Sequence, residues 1–93
     1  MAALSAKIQE AIRAEKFLIS IHADNRCEER GISSWQVVLG SESPLSVTER
    51  PTSEPHPTVV VRVMLADGSE AQAVWAWLEN SGRAKLVTVF FPR

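Results

Sequence analysis

Apolar residues recur at helical spacing near the start of the chain and alternate in the manner of β-strands in its second half. One face of residues 3–15 is apolar, at Leu4, Ile8, Ala11 and Ile12. This spacing of i, i+4, i+7 and i+8 predicts an amphipathic helix. A second helix is predicted over residues 20–30, because Ser20 is a suitable N-cap and Gly31 tolerates the left-handed conformation that often follows a helix.

A third, short helix is predicted directly after the second one. Ser33 and Gln36 have the spacing of a capping box, in which each side chain bonds the other's backbone N–H. Gly40 is expected to stop this helix after Leu39.

The rest of the chain is predicted to form a loop and a β-meander. Residues 41–57 contain four of the five prolines, which favours a loop with at most one short edge strand, at residues 46–49. Alternating side chains then predict three strands, at residues 58–65, 70–78 and 84–91. The pair Asp67-Gly68 predicts a type I′ hairpin turn between the first two.

Helices that precede an antiparallel meander indicate an α+β protein. We therefore expect one domain over residues 1–93, with N-terminal helices packed on a small antiparallel sheet of three to four strands. One face of the first meander strand carries Val59, Val61 and Val63, and the other carries Arg62. The sequence leaves open which of the two faces is buried.

Composition limits the classes of function. The net charge of −1 and the pI near 6.1 argue against strong non-specific nucleic-acid binding, although a local arginine patch can still bind a phosphate. No apolar run approaches the roughly 18 residues of a membrane span, so we expect a cytoplasmic protein with no membrane partner. The single cysteine, Cys27, and the two histidines lack zinc-site spacing, so we expect no metal and no other cofactor.

The second predicted helix carries the most distinctive chemistry. Its positions i, i+4, i+7 and i+8 are His22, Arg26, Glu29 and Arg30. The helix dipole at the N-terminus favours a neutral imidazole, which can act as a general base, while guanidinium groups can stabilise a phosphorane. The alternative is structural: His22 bonds the neighbouring loop and the arginines pair with glutamates of their own helix.

The same stretch carries a resemblance to a known family. The pattern S-x-H-A-x-x-R-x-x-E-R-G-I-S is matched by Ser20, His22, Ala23, Arg26, Glu29, Arg30, Gly31, Ile32 and Ser33. It resembles the small bacterial family catalogued as domain of unknown function 4258, over about residues 8–91. The resemblance implies a fold similar to the RelE-like and colicin-type ribonuclease toxins, with helices on a four-stranded antiparallel sheet, and it leaves activity open.

The resemblance also points to the last strand. Thr88 matches the threonine of the family's terminal T-V-aromatic motif, where the aromatic residue is usually tyrosine, whereas this chain has Phe90 and no tyrosine. Arg62 interrupts a run of valines and is a candidate phosphate contact, with an exposed sheet face as the simpler explanation. Glu29 is a candidate substrate contact, or a carboxylate that orients Arg26 or Arg30.

Two hypotheses follow from the sequence. In the first, the protein is a metal-independent ribonuclease of the toxin kind, with His22, Arg26, Arg30 and Thr88 catalytic, Arg62 and Glu29 binding RNA, and an antitoxin as a partner. In the second, it is a non-catalytic interaction or homodimerisation module, and Trp75 and Trp77 belong to its core or its interface. An open groove between Arg62, Thr88 and the His22 helix would favour the first.

Overall fold

The computed structural model describes residues 3–91. Three helices, α1 (Leu4–Arg13), α2 (Ile21–Glu29) and α3 (Ser34–Glu42), lie in the first half of the chain together with strand β1 (Phe17–Ile19). Four further strands follow, β2 (Ser46–Arg50), β3 (Thr58–Met64), β4 (Glu70–Leu78) and β5 (Arg83–Phe90). The α+β class is confirmed.

The strands form one mixed sheet in the order β1-β5-β4-β3-β2. The meander β2 to β5 is antiparallel, and β1 pairs with β5 in parallel. The sheet therefore has five strands, and the prediction of a purely antiparallel sheet of three to four strands is wrong. Phe17–Ile19 is only three residues long, which is too short for its alternation to be recognised in the sequence. It is joined to β5 by two backbone hydrogen bonds, from Ala84 N–H to the Lys16 carbonyl and from Ser20 N–H to the Leu86 carbonyl.

All three helices pack on the same face of the sheet. The buried residues of the helices are Ile8, Ala11, Ile12, Ala23, Cys27, Val37 and Val38, and those of the strands include Val59, Val61, Val63, Trp75, Leu86 and Val89. The valine face of β3 is thus the buried one, and Arg62 lies on the opposite face, which we call the outer face. No helix among residues 3–91 is both long enough and apolar enough to span a membrane.

A buried hydrogen-bond chain fixes Trp75 in the core. Its Nε1–H donates to Ser41 Oγ at 3.0 Å, and the Ser41 hydroxyl donates to the Val37 carbonyl at 2.8 Å. Both side chains are completely buried, so each polar atom needs the other as a partner. The tryptophan ring is also met edge-on by Phe17, at 6.1 Å between ring centroids.

Gly40 does not end α3, which continues to Glu42. A β-carbon built on Gly40 would lie 2.9 Å from the Val63 Cβ, closer than real Cβ contacts. The glycine is therefore required by the close approach of the helix to β3, a reason that only the tertiary structure reveals.

Two predicted local motifs also differ from the structure. Ser33 caps α3, but its hydroxyl accepts from Trp35 N–H at 3.2 Å, and the Gln36 side chain accepts from Ala66 N–H instead of completing a capping box. In the β3–β4 turn, only Gly68 has positive φ, at 86°, and its N–H bonds to the Leu65 carbonyl. This is a type I turn followed by a left-handed glycine, not a type I′ turn.

We expect Gly40→Ala to destabilise the protein by about 1–2 kcal/mol. The same substitution in an unobstructed helix stabilises by roughly 0.8–1 kcal/mol, so the contact with Val63 reverses the sign. Urea unfolding followed by circular dichroism measures the change. A higher urea midpoint in the variant would show that α3 and β3 are not in close contact at this position.

Candidate functional site

Helix α2 lies along the edge of β5 that β1 leaves open. The pairing of β1 with β5 ends at Leu86, and the register of β5 against β4 shifts there, which leaves Val87 without a partner. The carbonyls of Val87 and Val89 accept hydrogen bonds from α2 and its cap. Ser20 Oγ donates to Val87 O at 2.8 Å, and Arg26 Nε donates to Val89 O at 3.3 Å. These bonds fix α2 beside the second half of β5.

The predicted stripe on α2 follows this edge. His22 stands one helical turn before Arg26, its side chain is exposed, and it lies near the Ser20 cap. Arg30 stands one turn after Arg26, with its guanidinium 5.3 Å from the centroid of the Phe91 ring. His22, Arg26 and Arg30 therefore share one stripe of α2, as the sequence predicted, and the structure places this stripe at one margin of the sheet.

Arg26 has a structural role in addition to its place in the stripe. Its side chain is partly buried, and its Nε–H donates a hydrogen bond to the Val89 carbonyl. Its Nη1 atom is 4.0 Å from a Glu29 carboxylate oxygen, a long contact between partly exposed groups that contributes little stability. The outer nitrogens of the guanidinium therefore stay available to an anion at the surface.

Thr88 and Arg62 lie on the outer face of the sheet and not in a groove with α2. Thr88 pairs with Val74, and Val74 pairs with Val60, so Thr88 faces the same side of the sheet as these residues. It lies on β5, the strand that α2 borders. Arg62 is on β3, two strands away from β5, about 10 Å at roughly 4.8 Å per strand. Its guanidinium is paired with Glu70 at 2.8 Å, so its charge is already balanced.

The tryptophans do not cover the outer face. Trp75 is buried between the helices and the sheet, and Trp77 is partly buried against the same core. Trp35 is half exposed on α3, where its ring meets Phe17 edge-on at 5.8 Å. None of the three tryptophans therefore blocks access to the outer face.

Cys27 is a core residue. It is fully buried, and burial, with a smaller contribution from the Asp24 carboxylate, raises the pKa of its thiol above the ordinary value. Since the thiolate is the reactive form, this cysteine is unsuited to nucleophilic chemistry. Among residues 3–91, no three or more His, Cys, Asp or Glu side chains are grouped so that they could hold a metal ion.

Comparisons with known proteins identify no relative. The chain matches no family model, no curated protein and no solved structure.

Sequence reasoning missed a cleft on the outer face. The side chains of Thr58, Ala76 and Lys85 form one row across β3, β4 and β5, and residues 54–56 fold over this row. Pro57 O accepts the Trp77 N–H at 2.9 Å, which holds the loop against β4. The cleft between them has a volume of about 230 Å³. Its only signal in the sequence is the register of three strands, which cannot be read before the pairing is known.

We expect Ser20→Ala to cost about 1–3 kcal/mol of unfolding free energy. Ser20 caps α2 by accepting the Ala23 N–H at 3.0 Å and also donates to the edge carbonyl of Val87, so two bonds are lost. Ser33→Ala is the matched control, since Ser33 caps α3 with one exposed bond and should cost about 0.5–1 kcal/mol. Equal losses in urea unfolding would contradict the role of Ser20 at the β5 edge.

Proposed function

We propose that the protein is a metal-independent endoribonuclease of the toxin kind, with a RelE-like fold. In this reaction the 2′-oxygen of RNA attacks the adjacent phosphorus, the P–O5′ bond breaks, and a 2′,3′-cyclic phosphate forms. His22 accepts the 2′-hydroxyl proton, and the departing 5′-oxygen takes a proton from solvent. Arg26 and Arg30 stabilise the negative charge that develops on the phosphorane oxygens.

The observation that carries this proposal is the exposed His22 side chain on a helix that is fixed to the edge of a strand. A general base must be accessible and held in place, and α2 is held by the Ser20 and Arg26 bonds to β5. Arg26 and Arg30 follow His22 at successive turns, so the three side chains line one side of α2, along which an RNA backbone can lie.

Thr88 joins this site in a supporting role. It lies on β5 one residue beyond Val87, whose carbonyl bonds Ser20, and its hydroxyl can donate to a non-bridging phosphate oxygen. Glu29 orients Arg26, in keeping with their 4.0 Å contact. Arg62 is left out of the catalytic step because Glu70 balances its charge.

A second candidate function is a protein-interaction module, with an antitoxin or a second copy of the chain as partner. Three large apolar side chains on the helical side of the molecule are strongly exposed, Ile21 at 82%, Leu39 at 60% and Trp35 at 52%. Exposed apolar side chains in such number are typical of interaction surfaces when they are contiguous. Sedimentation equilibrium over a wide concentration range tests the homodimer, and Leu39→Lys should prevent one that uses α3.

The test of the proposed function compares two substrates of the same sequence. One is unmodified RNA and the other is 2′-O-methyl RNA, which lacks the attacking hydroxyl, and both are incubated with the protein in the presence of EDTA. Cleavage of the unmodified strand alone is the expected result. Cleavage of both strands, or of neither by folded protein, would contradict the proposal.

A further inference from the structure

The outer face of the sheet is basic although the chain as a whole is slightly acidic. Its strand positions carry Arg50, Arg62, Arg83 and Lys85, with Glu70 as the acid among them. With Glu54 of the loop over the cleft included, the face thus holds four of the chain's ten lysines and arginines and two of its eleven aspartates and glutamates. The net charge of −1 therefore does not describe the surface that a polyanion would meet.

Two of these basic residues, Arg50 and Lys85, flank the cleft on the outer face. Arg50 pairs with Thr58, Thr58 with Ala76, and Ala76 with Lys85, so the four residues form one row across β2 to β5. Arg50 and Lys85 are about 14 Å apart at roughly 4.8 Å per strand. The ion pairs found among residues 3–91 use Arg26 and Arg62, so neither flanking base is neutralised by one.

The cleft itself has the size and lining of a site for a single ring system. At about 230 Å³ it is smaller than the roughly 300–1,000 Å³ of pockets that hold drug-sized ligands. Ala76 contributes only a methyl group to its floor and is 2% exposed, because the loop covers it. Pro55 and the imidazole of His56 form the wall, and Glu54 offers a carboxylate that can accept N–H groups from a base edge.

We propose that this cleft binds one nucleobase of single-stranded RNA, with the flanking phosphates on Lys85 and Arg50. The base stacks on His56 and Pro55, since every nucleobase has a π-face and such stacking tolerates different sequences. The basic side chains of Arg50 and Lys85, at the two ends of the row, supply the positive charge that a phosphate backbone requires. This inference rests on the proposed function, because it assigns the substrate contact of the same protein.

Val87 connects the cleft with the His22 margin. Its side chain lines the cleft, and its carbonyl accepts the bond from Ser20, which caps the helix that carries His22 two residues later. An RNA strand that leaves the cleft over Val87 would therefore reach the first turn of α2. The cleft holds the nucleotide next to the scissile phosphate rather than a remote part of the RNA.

The test measures binding without cleavage. A fluorescein-labelled 2′-O-methyl oligonucleotide is titrated with the full chain, and anisotropy is followed at several salt concentrations. Lys85→Gln should weaken binding at least fivefold and reduce the salt slope of log K by about 0.7, the value for one phosphate contact on a single strand. Lys7→Gln is the matched control, since Lys7 is exposed on α1, on the other side of the sheet, and should change affinity less than twofold.

A second variant tests the cleft itself. Ala76→Val adds two methyl groups to the cleft floor and should remove the part of the RNA affinity that comes from the bound nucleobase, without changing net charge. Val74→Leu is the control, since it enlarges the neighbouring outer position outside the cleft and should have no effect on binding. Equal effects of Lys85→Gln and Lys7→Gln, or no binding by the wild-type protein, would overturn the inference. Tight binding by a protein that never cleaves RNA would overturn the ribonuclease proposal alone, and cleavage unaffected by Lys85→Gln would overturn the subsite alone.

Discussion

His22→Ala is expected to slow RNA cleavage by about 10²–10⁴-fold, the contribution of a positioned general base. The exposed imidazole accepts the 2′-hydroxyl proton in the proposed reaction, and no other histidine lies on α2. Because the side chain is exposed, the substitution should leave the urea midpoint within the error of the wild-type value. Initial rates on a defined RNA oligonucleotide at saturating substrate measure the effect.

Asn25→Ala is the matched control for His22→Ala. Asn25 is also exposed on α2 and has no role in the proposed chemistry, so its variant should cleave at the wild-type rate. A His22→Ala protein that keeps its rate would show that the imidazole is not the base. The stripe on α2 would then be explained by the Arg26 bond to β5 and the Arg30 contact with Phe91 alone.

Trp75→Ala is expected to remove about 3–5 kcal/mol of unfolding free energy. At roughly 0.05–0.15 kcal/mol per residue, a domain of 93 residues has about 5–14 kcal/mol in total, so the variant should lose a large share of its stability. The ring is completely buried, and its loss leaves a large cavity and removes the indole donor of Ser41 Oγ, which keeps only its bond to the Val37 carbonyl. Guanidinium unfolding followed by far-ultraviolet circular dichroism measures the loss.

Trp35→Ala makes the same chemical change at a half-exposed position. Trp35 is 52% exposed and touches Phe17 through one ring edge, so its variant should lose no more than about 1.5 kcal/mol. Similar losses for the two tryptophans would contradict the assignment of Trp75, and not Trp35, to the core.

Local sequence signals predicted the elements that depend on near neighbours. The alternation of Val59, Val61 and Val63 predicted a strand at residues 58–65, and the structure has β3 at Thr58–Met64, although the sequence left open which face of this strand is buried. Ser20 caps α2 as expected, and Gly31 follows that helix with a φ of 77°. Each of these features is decided within a few residues of chain, which is why the sequence alone was sufficient.

Features that depend on distant partners could not be predicted. Phe17–Ile19 becomes a strand only because β5 offers it an edge, more than 60 residues later. Gly40 is needed only because Val63 approaches it, and Val87 is unpaired only because of the shift between β4 and β5. None of these partners is specified by local propensity or periodicity.

The candidate site divides in the same way. Helical periodicity correctly placed His22, Arg26 and Arg30 on one stripe, since their spacing is local. The bonds of Arg26 to Val89 and of Arg62 to Glu70 require the tertiary structure, and they change what each arginine can do. The exposed position of Arg62 agrees with its simpler explanation as a residue of a solvent-facing sheet surface.

The most direct test of the central claim is the chemical identity of the new RNA ends. Wild-type protein is incubated in EDTA with an oligonucleotide, and the products are analysed by mass spectrometry. Attack by the 2′-hydroxyl predicts a 2′,3′-cyclic phosphate on one fragment and a 5′-hydroxyl on the other, with both absent for His22→Ala. Products that carry 5′-phosphates, or intact RNA after incubation with folded wild-type protein, would contradict a metal-independent ribonuclease that uses His22 as its base.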